Sequence, residues 1–254
     1  MQSQRKLKVV QPDQPEVRLL AGKKIVKVLS EQNLQSLDRS VGEAKNNLLQ
    51  QELHCSASSK AKRFIDVVGA IAGLIITAII FIPIAVAIYI DSPGSVLYSQ
   101  IRCGLQGNLF TIWKFRTMCT DADRKQHLVE NEVEGHVFKN KNDPRVTRVG
   151  KFLRSTSLDE FPQFWNVLKG EMSLVGTRPP TPNEVEKYEG HHYQRLLVRP
   201  GITGEWQVRG RSGVKSFDDI VRLDIDYQRK WSPLYDLSLI VQTIGVVFKR
   251  DGAY

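Results

Sequence analysis

Residues 154–179 read RSTSLDEFPQFWNVLKGEMSLVGTRP, and the rest of the chain is organised around this stretch. Ser157 followed by Glu160 has the spacing of a capping box, and Pro162 is tolerated only near the first turn of a helix. Gly170 is the residue type that most often follows a helix C-terminus. Apolar side chains recur between these two signals at helical spacing: Phe161, Phe164, Trp165 and Leu168. The stretch therefore predicts a helix with one apolar face.

Asp159 and Glu160 stand side by side at the predicted start of this helix. A helix N-terminus carries partial positive charge, so carboxylates ionise readily there and phosphates bind. An acidic pair at such a position commonly does no more than cap the helix. Arg154 and Arg178, together with the membrane segment described next, favour a role in handling phosphate.

The segment 67–90 contains no charged side chain. Two dozen apolar residues can cross a hydrocarbon core of about 30 Å, whereas a buried core helix rarely stays apolar on every face for so long. Pro83 lies inside the segment and predicts a bend. Basic residues flank both ends, which removes the usual charge asymmetry of a spanning helix: Lys60, Lys62, Arg63, Arg102, Lys114 and Arg116. We therefore expect a re-entrant helix, with a straight span as the alternative.

Composition leaves the class of partner open. The chain has 254 residues and a formal net charge of +9, which suits nucleic acid, an anionic bilayer or phosphorylated substrates. The three cysteines are far apart and form no Cys-x-x-Cys, which argues against a disulfide framework or a structural zinc site. We expect a polar, loosely ordered extension over residues 1–59, with one short element near residues 25–29, and a membrane-associated domain over residues 60–254. No signal peptide is predicted, because residues 1–60 lack an early apolar run.

Several further elements are predicted in the domain. Residues 96–100 and 109–115 indicate a β-hairpin around a glycine-bearing turn. A basic stripe recurs every third residue on a predicted helix that would meet lipid headgroups: Arg145, Arg148, Lys151 and Arg154. We expect a strand-like piece after residue 173, a helix from Asn183 to about Leu197, a glycine-rich turn over residues 199–208, and helices over residues 217–231 and 234–247. The fold class is therefore α+β, mainly helical.

These features together resemble the bacterial sugar transferase family, the monotopic phosphoglycosyl transferases that begin glycan assembly on polyprenyl phosphate. The resemblance covers about residues 60–250. It rests on KRF at 62–64 with Asp66, KFRTM at 114–118, DPR at 143–145, SLDE at 157–160, QFWNVLKG at 163–170, MSLVG at 172–176, RP at 178–179 and RPGITG at 199–204. Two positions depart from the common pattern: Ile82 precedes Pro83 where a serine is frequent, and Thr177 precedes Arg178 where a proline is frequent.

The resemblance implies a two-step reaction. A UDP-sugar would give its sugar 1-phosphate to an aspartate with release of UMP, and polyprenyl (undecaprenyl) phosphate would then take the phosphosugar. This would be the first membrane step of exopolysaccharide, capsule or O-antigen-type glycan synthesis. The enzyme would sit in the bacterial inner membrane, among membrane lipids, with its catalytic domain on the cytoplasmic face.

The resemblance also implies roles for single residues. Asp159 would be the nucleophile, Glu160 a ligand of Mg²⁺, and Arg154 and Arg178 would clamp phosphate. Further candidates for phosphate or substrate binding are Lys114, Arg116, Arg199 and Asp224.

Two rival functions remain at this stage. The charge of +9 would also suit a membrane-anchored nucleic-acid-binding regulator, although no helix-turn-helix or zinc pattern is present and we expect no nucleic-acid partner. A non-catalytic scaffold in polysaccharide export is the second rival. The chain could also form a homodimer. The sequence specifies neither the sugar that is transferred nor the polymer that is built.

Overall fold

The computed structural model describes residues 52–122, 124, 125, 129, 140, 142–209 and 216–249. The described part is mainly helical with two small sheets, which confirms the α+β class. The α-helices are α1 Cys55–Ser58, α2 Lys60–Asp91, α3 Arg148–Ser155, α4 Phe164–Lys169, α5 Pro182–Val185, α6 Glu205–Arg209, α7 Phe217–Lys230 and α8 Pro233–Lys249. The strands are β1 Leu97–Cys103, β2 Leu109–Phe115, β3 Ser173–Val175 and β4 Gly201–Thr203, and 3-10 helices cover Leu105–Gly107, Leu158–Gln163 and Gly190–Leu197. The element expected near residues 25–29 lies outside the described residues, as does all of the extension before residue 52.

Helix α2 is the predicted membrane segment, and its length and composition would allow it to cross a membrane. One side of the helix is buried against the domain: at Gly73 a Cβ would stand 2.4 Å from the ring of Phe164, so the glycine allows the two helices to touch. The other side is exposed and apolar, and includes Phe64, Val68, Ile71, Ile75, Ile79, Ile82, Val86 and Ile90. The helix therefore has one face packed against the domain and one exposed apolar face.

The first turns of α2 are fixed to the domain by charged side chains. Lys62 donates to Asp236 at 2.6 Å and to the carbonyl of Val175 at 2.9 Å, and only 4% of the lysine is exposed. Arg63 donates to the carbonyls of Val167 and Leu168, each at 2.7 Å. These carbonyls belong to the end of α4, where a cation compensates the negative end of the helix.

The last turn of α2 is fixed to the same domain. The carboxylate of Asp91 accepts from the backbone N–H of Val149 at 2.8 Å, which caps the first turn of α3 from outside. Ile84 and Ile88 pack in one cluster with Leu153 of α3 and Phe115 of β2. Both ends of the long helix thus contact a single domain.

The predicted β-hairpin is confirmed. Strands β1 and β2 pair antiparallel, with Leu97 opposite Phe115 and Cys103 opposite Leu109, so β1 runs three residues further than predicted. The predicted helices over 217–231 and 234–247 are also confirmed, as α7 and α8. A second sheet, which pairs β3 and β4 in parallel, confirms the strand-like piece after residue 173 and adds a partner within the predicted glycine-rich turn.

The capping box predicted at Ser157 is wrong. Ser157 adopts a left-handed conformation (φ 55°) and makes no capping hydrogen bond, and the chain continues as the 3-10 helix Leu158–Gln163 before α4 begins. The carboxylate of Glu160 is held instead by Lys114 at 2.8 Å. The C-cap at Gly170 is confirmed, because this glycine has φ 83°.

The predicted apolar face of this stretch is only partly buried. Trp165 is 50% exposed, whereas Gln163 and Asn166 are almost fully buried. The stretch begins as a 3-10 helix, in which residues i and i+3 lie directly above one another. The residues that face the core therefore differ from those expected for a continuous α-helix.

Two other predicted helices begin or end elsewhere. The helix expected from Asn183 to Leu197 is divided into α5 and a 3-10 helix, and Thr181 rather than Asn183 is the N-cap, in a capping box with Glu184. The basic stripe is divided too. Helix α3 begins at Arg148, and Arg145 precedes it, buried in a bidentate ion pair with Asp143.

Candidate active site

Asp159 lies at the start of the 3-10 helix, beside strand β2, and is 8% exposed. Burial raises the pKa of its carboxyl to about 6; Lys114 and Arg154 oppose this rise, and the neighbouring Glu160 adds to it. No described Lys or Arg forms an ion pair with this carboxylate. Asp159 is therefore a desolvated acid that remains mostly ionised at neutral pH.

Glu160 points to the more open side of the same turn. Its carboxylate forms an ion pair with Lys114 at 2.8 Å, and the two side chains are 31% and 27% exposed. Strand β2 supplies this lysine, so the hairpin brings a cation predicted from the KFRTM motif to the acidic pair. The pair is exposed enough for a phosphate or a cation to reach it from solvent.

Arg154 stands on the last turn of α3, half-buried and close to Asp159. Its Nε donates to the hydroxyl of Thr117 at 3.0 Å. Burial lowers the pKa of Arg154, whereas Asp159 and Asp143 raise it. Four of the predicted residues therefore meet as one electrostatic cluster: Lys114, Arg154, Asp159 and Glu160.

Arg178 lies on the loop after β3 and is paired with Glu184. The two nitrogen–oxygen distances are 3.1 and 3.2 Å, and the arginine is 22% exposed. Arg102, which the sequence analysis named only as a flanking cation, lies beside this pair and donates to the carbonyl of Pro179 at 2.9 Å. Burial lowers the pKa of Arg102 to about 10, and the nearby charge of Arg178 acts in the same direction. A partly exposed arginine, backed by a buried one, is suited to binding an anion.

The remaining predicted residues make structural contacts. The guanidinium of Arg116 donates to the carbonyl of Ser92 just after α2, and Arg199 donates to the carbonyls of Gly170 and Ala57. Asp224 is 1% exposed and binds Arg195 at 2.7 Å. In this structure the three predicted side chains bind other parts of the chain.

Arg195 and Thr117 were not singled out from the sequence. Arg195 is 1% exposed and sits between Asp224 and the hydroxyl of Tyr188. No spacing rule connects it to Asp224, which follows 29 residues later. Thr117 lies inside the KFRTM motif, directly after Arg116, and this position was the available signal.

One cluster with metal-ligand atoms occurs among the described residues, and it includes none of the predicted site residues. His191, His192 and Asp218 have ligand atoms within 4.8 Å of one another. Nδ1 of His192 accepts from the backbone N–H of Glu189, so Nε2 carries the proton that it shares with Asp218 at 3.0 Å. Both ring nitrogens of His192 are thus engaged within the chain.

Comparison with known proteins adds the family. The family described as "Bacterial sugar transferase" matches residues 57–250. The chain is 49% identical over 195 residues to galactosyl transferase CpsE of Streptococcus agalactiae, covering 76% of this chain and 43% of that protein. It is 39% identical over 201 residues to the UDP-glucose:undecaprenyl-phosphate glucose-1-phosphate transferase of Escherichia coli, covering 76% of this chain and 41% of that protein.

A shorter relative is matched over most of its length. The exopolysaccharide production protein ExoY of Sinorhizobium fredii is 39% identical over 200 residues, which cover 76% of this chain and 88% of that protein. The chain thus spans less than half of CpsE and of the E. coli transferase but nearly all of ExoY. The matched region contains the hairpin, the acidic pair and the arginines described above. The chain belongs to the bacterial sugar transferase family.

Proposed function

We propose that the chain transfers a sugar 1-phosphate from a UDP-sugar to polyprenyl phosphate, giving polyprenyl-diphosphate-sugar and UMP. The observation that carries this proposal is Asp159, a buried carboxylate with a raised pKa beside Lys114 and Arg154. Perturbed acids with specific charged neighbours concentrate at active sites. The names of the E. coli relative and of ExoY point to the same class of donor, acceptor and polymer.

In the first step a carboxylate oxygen of Asp159 attacks the β-phosphorus of the UDP-sugar. A new oxygen–phosphorus bond forms, the bond between that phosphorus and the α-phosphate oxygen breaks, and UMP leaves with the electron pair. In the second step an oxygen of polyprenyl phosphate attacks the same phosphorus, and the Asp159 carboxylate is released. Neither nucleophile needs to lose a proton at neutral pH, and covalent catalysis divides one difficult displacement into two.

Cationic side chains balance the charge of the diphosphate. Lys114 and Arg154 flank Asp159, and Arg178 offers a partly exposed guanidinium on a neighbouring loop. Fixed cations around a transferring phosphoryl group stabilise the charge that develops there. In this proposal Arg116, Arg199 and Asp224 support the site through the contacts described above and do not touch the substrate.

The donor set near Asp159 is compatible with Mg²⁺. This ion commonly uses one or two protein carboxylates together with substrate phosphates and waters. Glu160 is accessible, and its bond to Lys114 is a partly exposed pair that a divalent cation can replace. We assign Glu160 as the residue that would hold Mg²⁺, which would supply charge neutralisation on the phosphates.

The contacts of α2 favour the re-entrant arrangement as part of this proposal. Lys62 at one end and Asp91 at the other bind the same domain, and the buried face of the helix follows that domain between them. A straight span would place these ends on opposite sides of the bilayer and draw charged parts of the domain into the hydrocarbon, which is costly. A bent insertion brings both ends to the cytoplasmic side, where the nucleotide sugar is.

Cysteine labelling tests this topology. Single cysteines at Lys60 and Ser95, with Cys55 and Cys119 replaced by serine, should react with an impermeant reagent from the same side of sealed vesicles. Cys103 is fully buried and can remain. Reaction of the two positions from opposite sides would exclude the re-entrant arrangement without affecting the assigned chemistry.

The function itself is tested with a panel of UDP-sugars. Full-length chain in nanodiscs is mixed with polyprenyl phosphate and Mg²⁺, and UMP release and lipid-linked product are measured. We expect one or a few donors to release UMP and give product, and Asp159→Asn to abolish both. A scaffold would show no release with any donor, and glycan synthesis in cells would survive Asp159→Asn.

A further inference from the structure

Arg154 makes one side-chain hydrogen bond within the described part of the chain. Its Nε donates to the hydroxyl of Thr117 at 3.0 Å. The two terminal nitrogens have no partner among the described residues, and neither is a fully buried unpaired atom. A guanidinium held by Nε presents its terminal nitrogens in a fixed fork, which is the geometry that binds phosphate with two parallel hydrogen bonds.

Thr117 is itself held in place by the fold. It is 7% exposed, and its backbone carbonyl accepts from the N–H of Thr147 at 3.1 Å. A Cβ at Gly150 would lie 2.0 Å from that carbonyl, so the glycine allows α3 to rest directly on Thr117. Because a β-branched side chain has few rotamers, the hydroxyl position follows from this fixed backbone.

The charges around Arg154 would otherwise pull it in different directions. Asp159 and Asp143 attract the guanidinium, and Arg145, which is paired with Asp143, repels it. Closing on Asp159 would form an ion pair with the nucleophile and weaken its attack. A neutral hydroxyl acceptor therefore holds the arginine near Asp159 without neutralising that carboxylate.

We propose that Thr117 is a positioning residue, which holds the Arg154 guanidinium so that its terminal nitrogens bind a substrate phosphate. This inference rests on the proposed function, because it takes Arg154 as a phosphate-binding residue. Thr117 does not touch the substrate and acts only through Arg154.

The test uses Thr117→Val, which keeps the shape and removes the hydroxyl, and Thr117→Ser, which restores it. Loss of a hydrogen bond to a charged group weakens an interaction by roughly 10- to 100-fold. We expect this loss in kcat/KM and in the affinity for UDP-galactose, measured on the full chain in nanodiscs, with melting temperature nearly unchanged. Thr117→Ser should recover most of both.

Thr156→Val is the matched control. The Thr156 hydroxyl lies just after α3, and within the described part of the chain it donates to the backbone carbonyls of Phe152 and Leu153, at 2.8 and 3.2 Å. It should bind and turn over UDP-galactose like wild type. An equal loss in Thr117→Val and Thr156→Val would mean that any threonine lost near α3 harms the protein, and would overturn the assignment.

A double-mutant cycle decides whether Thr117 acts through Arg154. In an Arg154→Ala background, Thr117→Val should change the affinity for UDP-galactose by less than about twofold, because coupled residues are not additive. A full, additive loss in that background, or unchanged affinity in Thr117→Val alone, would contradict the proposal. Wild type that neither binds nor turns over any UDP-sugar would instead overturn the proposed function.

Discussion

Two arginine–aspartate regions of the protein use the same residue types differently. Asp224 and Arg195 are each 1% exposed and meet at 2.7 Å, with Tyr188 as a further partner of the arginine. Asp159 and Arg154 influence each other's pKa but form no ion pair, and the arginine donates to Thr117 instead. We call the first region the closed pair, because its two charges bind each other directly. We call the second the open pair, because its two charges do not.

Under the proposed function, this difference separates structural charges from reactive ones. In the closed pair the loss of hydration is offset by a direct ion pair inside the protein. In the open pair the carboxylate is desolvated without an ion pair, so its oxygens remain available to a substrate. Burial raises the pKa of both carboxyls, so the two aspartates differ in whether an ion pair is present and not in the direction of the pKa shift. Both aspartates were sequence candidates, and only their surroundings distinguish them.

The largest expected effect is a loss of stability when the Asp224–Arg195 ion pair is broken. Asp224→Ala leaves a fully buried arginine without its ion pair and should cost about 3–5 kcal/mol of unfolding free energy. Asp159→Asn should instead raise stability at neutral pH, by at most about 2–3 kcal/mol, because it removes a desolvated charge. Thermal and denaturant unfolding of both variants in the same detergent measures this. An Asp224→Ala protein with native stability and lost activity would place Asp224 at the substrate instead.

The next effect is a pH dependence that belongs to Asp159. Its folded pKa of about 6 lies above the ordinary value, so the folded protein binds a proton more tightly than the unfolded chain. The stability contributed by this proton is fully present below a pH of about 4 and is lost as the pH rises through about 6. The free energy of unfolding should fall by about 2–3 kcal/mol over this range. The difference between wild type and Asp159→Asn, followed across this range by unfolding, isolates the effect.

The same group should control the rate of the first step. Because the ionised carboxylate is the proposed nucleophile, UMP release under kcat/KM conditions should rise tenfold per pH unit below about 6 and level off above it. A profile that is flat from pH 5 to 8 would show that Asp159 is not the group whose ionisation matters.

The smallest effect concerns Lys114. Its ion pair with Glu160 is about one-third exposed, so Lys114→Met should change stability by less than about 1 kcal/mol. Lys114 lowers the pKa of Asp159, so its loss should move the rise of the rate profile to higher pH. Glu160→Gln should move it in the opposite direction, because Glu160 raises that pKa. Matching shifts in the two variants would contradict this electrostatic account.

Local signals in the sequence were sufficient for much of the fold. A run without charge indicates α2, a glycine-bearing turn between two short stretches indicates the hairpin, and Gly170 ends α4 as expected. The capping box at Ser157 was wrong because Glu160 has a competing partner in Lys114, 46 residues away. Local spacing cannot weigh a contact that only the tertiary fold creates.

The candidate site was predictable only in part, because some of its contacts are also created by the tertiary fold. The acidic pair, Arg154 and Lys114 were named from motifs, and the structure brings them together. The contacts of Arg116, Arg199 and Asp224 could not be read from spacing, because each depends on a backbone carbonyl or a buried arginine supplied from elsewhere in the chain. Motifs identify residues, whereas burial and partners indicate which of them face the substrate.

The central claim is that Asp159 forms a covalent bond to the phosphosugar. Wild-type chain incubated with UDP-sugar and Mg²⁺, without polyprenyl phosphate, should release UMP up to the amount of enzyme present. The peptide that contains Asp159 should gain the mass of one sugar phosphate, and later addition of polyprenyl phosphate should remove it. Asp159→Asn should show neither the burst nor the adduct. Release of UMP only when both substrates are present, or the same adduct in Asp159→Asn, would contradict the claim and indicate direct attack by the lipid phosphate.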